Sequence, residues 1–131
     1  MNKIGMYINS LNTMLKNVSE RSPVCEKLTS NYYYRIWDSG ICEFWGIYET
    51  TPSSSDWKVY VDQNLYYTNI TAGIPDVFRE EPQFVEANIR NCGTNVGWCA
   101  NSRIIGNNLI ITVVRNGNTG LLSIQYHLIG R

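Results

Sequence analysis

His127 is the only histidine in the chain, so a serine or cysteine activated by an imidazole base would have to use it. It lies on a strand-like stretch where Leu122, Ile124, Tyr126 and Leu128 alternate with Ser123, Gln125 and His127. A histidine on the polar face of such a strand reads as solvent-facing or already satisfied. No G-x-S-x-G, Walker A or H-E-x-x-H pattern accompanies it. Asp56, Asp62, Asp76, Glu80 and Glu81 fall in or near loops, where two carboxylates can in principle cleave a glycosidic bond. Acidic loop residues are more often simply solvated, and the expectation is a protein with no catalytic set.

The four cysteines, Cys25, Cys42, Cys92 and Cys99, form no C-x-x-C pair and have no histidine near them in sequence. A structural zinc site is therefore not expected, nor any other metal or cofactor. Without a secretory signal the cysteines read as free thiols, although Cys92 and Cys99 flank a turn and their spacing permits a cross-link.

Binding chemistry is better represented. A sugar offers hydroxyls and an apolar C–H face, so its sites combine an aromatic ring with Asn, Asp or Arg side chains. Residues of those types stand in apparent loops: Trp57 after a serine-rich run, Tyr66 and Tyr67, Arg103 beside Asn101 and Asn107, and Asn116 with Asn118. The opposing reading is structural. Turns select asparagine for its tolerance of left-handed backbone, and Trp37, Trp45 and Trp98 alternate within strands and read as core.

These residues must be positioned by a mainly β scaffold. Nine Tyr, four Trp and three Phe accompany ten Gly, a composition suited to pleated surfaces joined by tight turns. Tyr32 to Trp37, the turn Asp38-Ser39-Gly40 and Ile41 to Glu49 read as a hairpin. Trp57 to Val61 reads as a short strand with Trp57, Val59 and Val61 on one face. Val85, Ala87 and Ile89 alternate with Glu86, Asn88 and Arg90. Strands at Gly97 to Ile105, Leu109 to Val114 and a last one through Leu128 complete an antiparallel sandwich of about six to eight strands.

The first 22 residues differ. Ile4, Ile8, Leu11, Leu15 and Val18 follow the 4-3-4-3 spacing of a heptad seam. That pattern suits a short N-terminal helix, packed on its own domain or joining copies in a coiled-coil stalk; Ser22 and Pro23 end it. The division expected is 1–22 as helix or stalk and 23–131 as a β-sandwich head.

Charge narrows the partners. Eleven basic and eleven acidic residues cancel, and there is no basic run, so no nucleic-acid partner is expected. No apolar stretch approaches the roughly 18 residues of a spanning helix, and no membrane insertion is expected. The N-terminus lacks a signal-peptide pattern.

The run Tyr34 to Gly46, YRIWDSGICEFWG, resembles a hairpin of the distal domains of phage tail-fibre and receptor-binding proteins. The residues that carry the resemblance are Trp37, Ser39, Gly40, Glu43, Trp45 and Gly46. The segment Ile74-Pro75-Asp76-Val77-Phe78 with Glu81-Pro82 is similar to a second segment of that family, and Ile124 to Arg131 to its closing strand. The family usually has Trp where this chain has Tyr126 or His127, and often Cys where it has Phe44. The likeness spans about residues 32–131.

It implies a β-sandwich head, related in shape to the H-type lectins, that forms a homotrimer at a fibre tip and binds a bacterial cell-surface glycan without catalysis. Other phage tail proteins would be its partners. The location implied is the virion tail, assembled in the bacterial cytoplasm. The alternatives are a purely structural tail or baseplate protein of the same fold and a cellular H-type-like lectin.

Overall fold

The structure is a computed structural model, and it describes residues 23–61 and 64–131. The heptad residues Ile4, Ile8, Leu11, Leu15 and Val18 lie outside the described residues, with the rest of the expected helix or stalk; so does Asp62.

Nine strands follow in order: β1 (Pro23–Leu28), β2 (Tyr32–Trp37), β3 (Cys42–Thr50), β4 (Lys58–Val59), β5 (Tyr66–Gly73), β6 (Phe84–Asn91), β7 (Gly97–Ile105), β8 (Asn108–Arg115) and β9 (Leu122–Gly130). Among the described residues, the helical structure is a single 3₁₀ turn at Ser54–Asp56. The strands form two antiparallel sheets, β1-β2-β3-β9-β6 and β4-β5-β8-β7. The mainly β sandwich expected from composition is what the chain forms, with more strands than the sequence pattern suggested.

Two strands went unread. β1 is exposed along most of its length and carries no in–out alternation. β5 begins with Tyr66 and Tyr67, which read as loop residues, and alternates Thr68, Ile70 and Ala72 inward with Asn69 and Thr71 outward. The expected strand Trp57 to Val61 shrinks to Lys58–Val59. Its residues do not share a face: Trp57 is buried while Val59 and Val61 are exposed.

The core lies between the sheets. Phe44, Leu122, Ile124, Tyr126 and Leu128 from the larger sheet meet Ile70, Ala72, Leu109, Ile111 and Val113 from the smaller one. Burial of these side chains at roughly 25 cal/mol per Å² of apolar area is the main force holding the sheets together. Gly46 is where backbone and ring approach most closely. A Cβ there would overlap the Tyr126 ring, so the close packing of β3 on β9 depends on that glycine.

The hairpin between β2 and β3 is as expected. Gly40 N–H donates to Trp37 O at 2.9 Å, and Gly40 takes φ of 87°, a conformation glycine adopts without steric cost. The tryptophans are distributed otherwise than expected. Trp57 is the core tryptophan, while Trp37 and Trp45 are half-buried and Trp98 is 48% exposed. A β-bulge between Cys99 and Asn101 explains the last case. The extra residue shifts the alternation, so Cys99, Ser102 and Ile104 are the less exposed side of β7 and Trp98 falls on the other.

Candidate functional site

The outer face of the five-stranded sheet carries a row of side chains that crosses every strand. Register places Leu28 beside Tyr33, Tyr33 beside Trp45, Trp45 beside His127, and His127 beside Glu86. Along β3, Glu43, Trp45 and Ile47 alternate with the buried Cys42, Phe44 and Gly46, which is why the tryptophan points away from the core. Strand spacing of about 4.8 Å then brings neighbouring rings into contact. Tyr33 and Trp45 stack with centroids 5.4 Å apart and planes at 26°; Trp45 and His127 stack at 4.8 Å and 10°. Phe84 closes the row edge-on to His127 at 5.8 Å.

Rings in van der Waals contact, about 3.5 Å face to face, must be offset sideways to reach these centroid distances. Tyr33, Trp45 and His127 are each half-buried, so part of the row remains at the surface.

Beside this row lies a groove of about 550 Å³. The β1–β2 turn, Thr29 to Asn31, forms one part of its lining, and Ile47, Gln125 and Asn88 another. Thr29 holds that turn, its Oγ1 accepting from Tyr32 N–H at 3.0 Å and donating to Tyr32 O at 3.2 Å. Ile47 N–H donates to Asn31 O at 2.9 Å and ties the turn to β3. Glu86 Oε1 accepts from Asn88 Nδ2 at 3.2 Å. The groove is thus part aromatic and part amide, with one carboxylate.

One flank of the row is braced electrostatically. The Arg35 guanidinium sits 4.8 Å from the Trp37 ring and 5.2 Å from the Trp45 ring, while its nitrogens reach Glu43 at 3.4 Å. The Trp37 indole donates to Glu43 Oε1 at 2.9 Å. Burial works against ionisation of Glu43. The Trp37 hydrogen bond, the hydrogen bonds and charge of Arg35 and the charge of His127 outweigh it, holding its pKa below the ordinary 4.5. His127 is shielded by its neighbours, and its Nε2 has no hydrogen-bond partner among the described residues.

The residues singled out from sequence do not line this groove. Trp57 is buried, with the Arg115 guanidinium 4.2 Å over its ring and its own Nε1 without a partner among the described residues. Tyr66 packs against the core from the start of β5. Tyr67 also belongs to β5, edge-on to Tyr60 at 6.1 Å. Asn101 and Arg103 lie on β7 rather than in a loop. Tyr67, Asn101 and Arg103 share the outer face of the four-stranded sheet, where Tyr67 and Trp98 flank Val114, Asn69 and Asn101 flank Thr112, and Arg103 faces Ile110.

Asn107 stands in the β7–β8 turn, where its carbonyl accepts from Ile74 N–H at 2.8 Å. Asn116 and Asn118 lie beyond the other end of β8. The Asn116 side chain accepts from Val96 N–H at 2.9 Å, a turn-stabilising role.

All four cysteines are free, so Cys92 and Cys99 are not cross-linked. Burial raises the Cys99 thiol to about 11, and burial followed by the nearby Cys25 and Glu43 raises Cys42 to about 11. Among the described residues no group of three or more His, Cys, Asp or Glu is placed to hold a metal ion, and no helix is long and apolar enough to cross a membrane.

Compared with family models, characterised proteins and solved structures, the chain finds no match. The groove and its chemistry carry the functional argument. A sequence signal for it existed in the alternation Glu43-Trp45-Ile47 against Cys42-Phe44-Gly46. The pairing of β3 with β9, which sets His127 against Trp45, is a long-range register that the alternation alone does not specify.

Proposed function

We propose that this chain is a non-catalytic glycan-binding head, the tip of a phage or prophage tail fibre, which assembles as a homotrimer and attaches to a bacterial surface. One observation carries the reading: a row of overlapping rings, Tyr33, Trp45 and His127, borders an open groove lined with Asn31, Asn88, Gln125 and Glu86. Ring faces suit sugar C–H groups, and amide and carboxylate side chains suit hydroxyls. The hairpin resemblance at Trp37 to Gly46 supports the same reading and puts its tryptophan, Trp45, in the row. A single shallow site of this kind binds weakly. Three linked copies raise avidity by about 10² to 10⁴-fold without a new contact.

Trp45→Ala is expected to abolish binding of the fluorescently labelled full chain to bacterial cells, and Asn88→Ala with Gln125→Ala to weaken it about ten-fold. Asn88 and Gln125 are exposed, so their loss tests the groove without disturbing the core. Undiminished binding by that double variant overturns the site.

Assembly has its own support. β1 is an edge strand with Val24 66% and Leu28 78% exposed, and it directly follows the heptad segment. Light scattering is expected to give three times 15.0 kDa. A monomer would remove the stalk and the trimer together. The same exposed edge favours the second reading, a purely structural tail protein; a trimer that binds no cells or glycans would establish it.

A further inference from the structure

We propose that the groove selects glycans by charge, accepting neutral and amine-bearing sugars and rejecting those that carry carboxylate or phosphate; this rests on the glycan reading above. Among the described residues the groove lining contains one carboxylate, Glu86, and neither lysine nor arginine. Its remaining polar groups for a ligand are hydroxyls and amides, which recognise sugar hydroxyls and N-acetyl groups but supply no fixed positive charge.

Among the described residues, the two arginines on the strands of this sheet are already engaged. Arg35 is bound to Glu43 and lies over Trp37 and Trp45. Arg90 is bound to Glu49 at 3.0 Å and reaches Ser123 Oγ at 3.4 Å. Lys27 alternates with Leu28 along β1 and pairs with Tyr34 rather than Tyr33, which puts it on the opposite face of the strand. An acidic sugar entering the groove would meet Glu86 and lose water from its anion without gaining a partner, whereas a free amine would gain one. Glu86 sits at the end of the aromatic row, on β6 directly opposite His127, so a sugar laid along the rings reaches it.

One unit charge at contact distance near water is worth about five-fold in affinity. The discriminating experiment is an array of bacterial capsule and lipopolysaccharide glycans, grouped as neutral, amine-bearing and acidic, probed with the full chain. Bound glycans are expected to be neutral or amine-bearing. Glu86→Gln is expected to weaken amine-bearing glycans and to strengthen acidic ones by about five-fold each, so that the ratio bound falls by about 25-fold, and Glu86→Lys to lower it further, towards acidic ligands.

Tightest binding to an acidic glycan overturns the proposal and leaves the glycan reading intact. So does a ratio unmoved by both variants. Absence of binding to any glycan by the folded wild-type chain overturns the glycan reading itself, and the charge preference with it.

Discussion

Two arginines in this molecule lie over tryptophan rings, and they do opposite work. Arg115 is fully buried, 4.2 Å from the centre of Trp57, and its hydrogen bonds run to backbone carbonyls. Nε donates to Gly117 O at 2.7 Å, Nη1 to Leu121 O at 3.0 Å, and Nη2 to Thr119 O at 2.9 Å and Gly120 O at 3.2 Å. Burial lowers its pKa and the nearby Cys92 thiol opposes that, yet an arginine stays charged at any physiological pH. Arg35 is half-exposed on the outer sheet, spans two tryptophans at longer distance, and is balanced by a carboxylate that can titrate. The buried pair fixes the β8–β9 connection; the outer pair tunes a surface. Similar residues separate by whether their partners are fixed carbonyls or an ionisable group.

The largest consequence falls on the buried arginine. Arg115→Met keeps much of the apolar stem but removes one donor from each of four carbonyls, of which Thr119 O retains Asn95 Nδ2 at 2.9 Å. Stability is expected to fall by about 1–3 kcal/mol, the cost of leaving a buried acceptor without its donor, read as a lower urea midpoint. Arg35→Met should cost under about 1 kcal/mol, the range for exposed ion pairs. Comparable losses from the two would break the distinction. Arg115→Lys should remain well below wild type, because an ammonium cannot present the planar fork that reaches several carbonyls at once.

That contrast also marks what was legible in the sequence. The alternation along β9 shows Leu122, Ile124, Tyr126 and Leu128 inward, and the structure buries all four. The hairpin at Asp38-Ser39-Gly40 was legible for the same reason: local backbone chemistry decides it. Trp57 was not. It follows a serine-rich loop and precedes a two-residue strand, so its neighbours carry no periodicity, and its burial depends on Arg115, distant in sequence. Trp98 misled in the opposite sense, since a bulge of one residue reverses which side faces in.

The groove was half legible. The type of residue needed, aromatic beside amide, was evident throughout the chain. Which aromatics are brought together follows from register across β2, β3, β9 and β6, and pairing partners so distant in sequence leave no local mark.

The smallest effect offers the sharpest comparison, because its sign can be worked out. Glu43 has a folded-state pKa below its ordinary 4.5, so its ionised form is favoured by folding. Its contribution is therefore fully present above pH 4.5 and is lost as pH falls through the folded-state value. Glu43→Gln keeps an oxygen to accept the Trp37 indole and removes only the charge that faces Arg35. It should cost about 1 kcal/mol or less near pH 7. Denaturation of wild type and variant, compared at a series of pH values, should show the gap narrowing below pH 4.5 and closing in strong acid. The gap between wild type and Arg115→Met should stay level over the same interval, since backbone carbonyls do not titrate. A Glu43 gap that persists in acid would mean that shape, and not charge, holds Trp37 and Trp45 in place. The outer face would then be as rigidly set as the core.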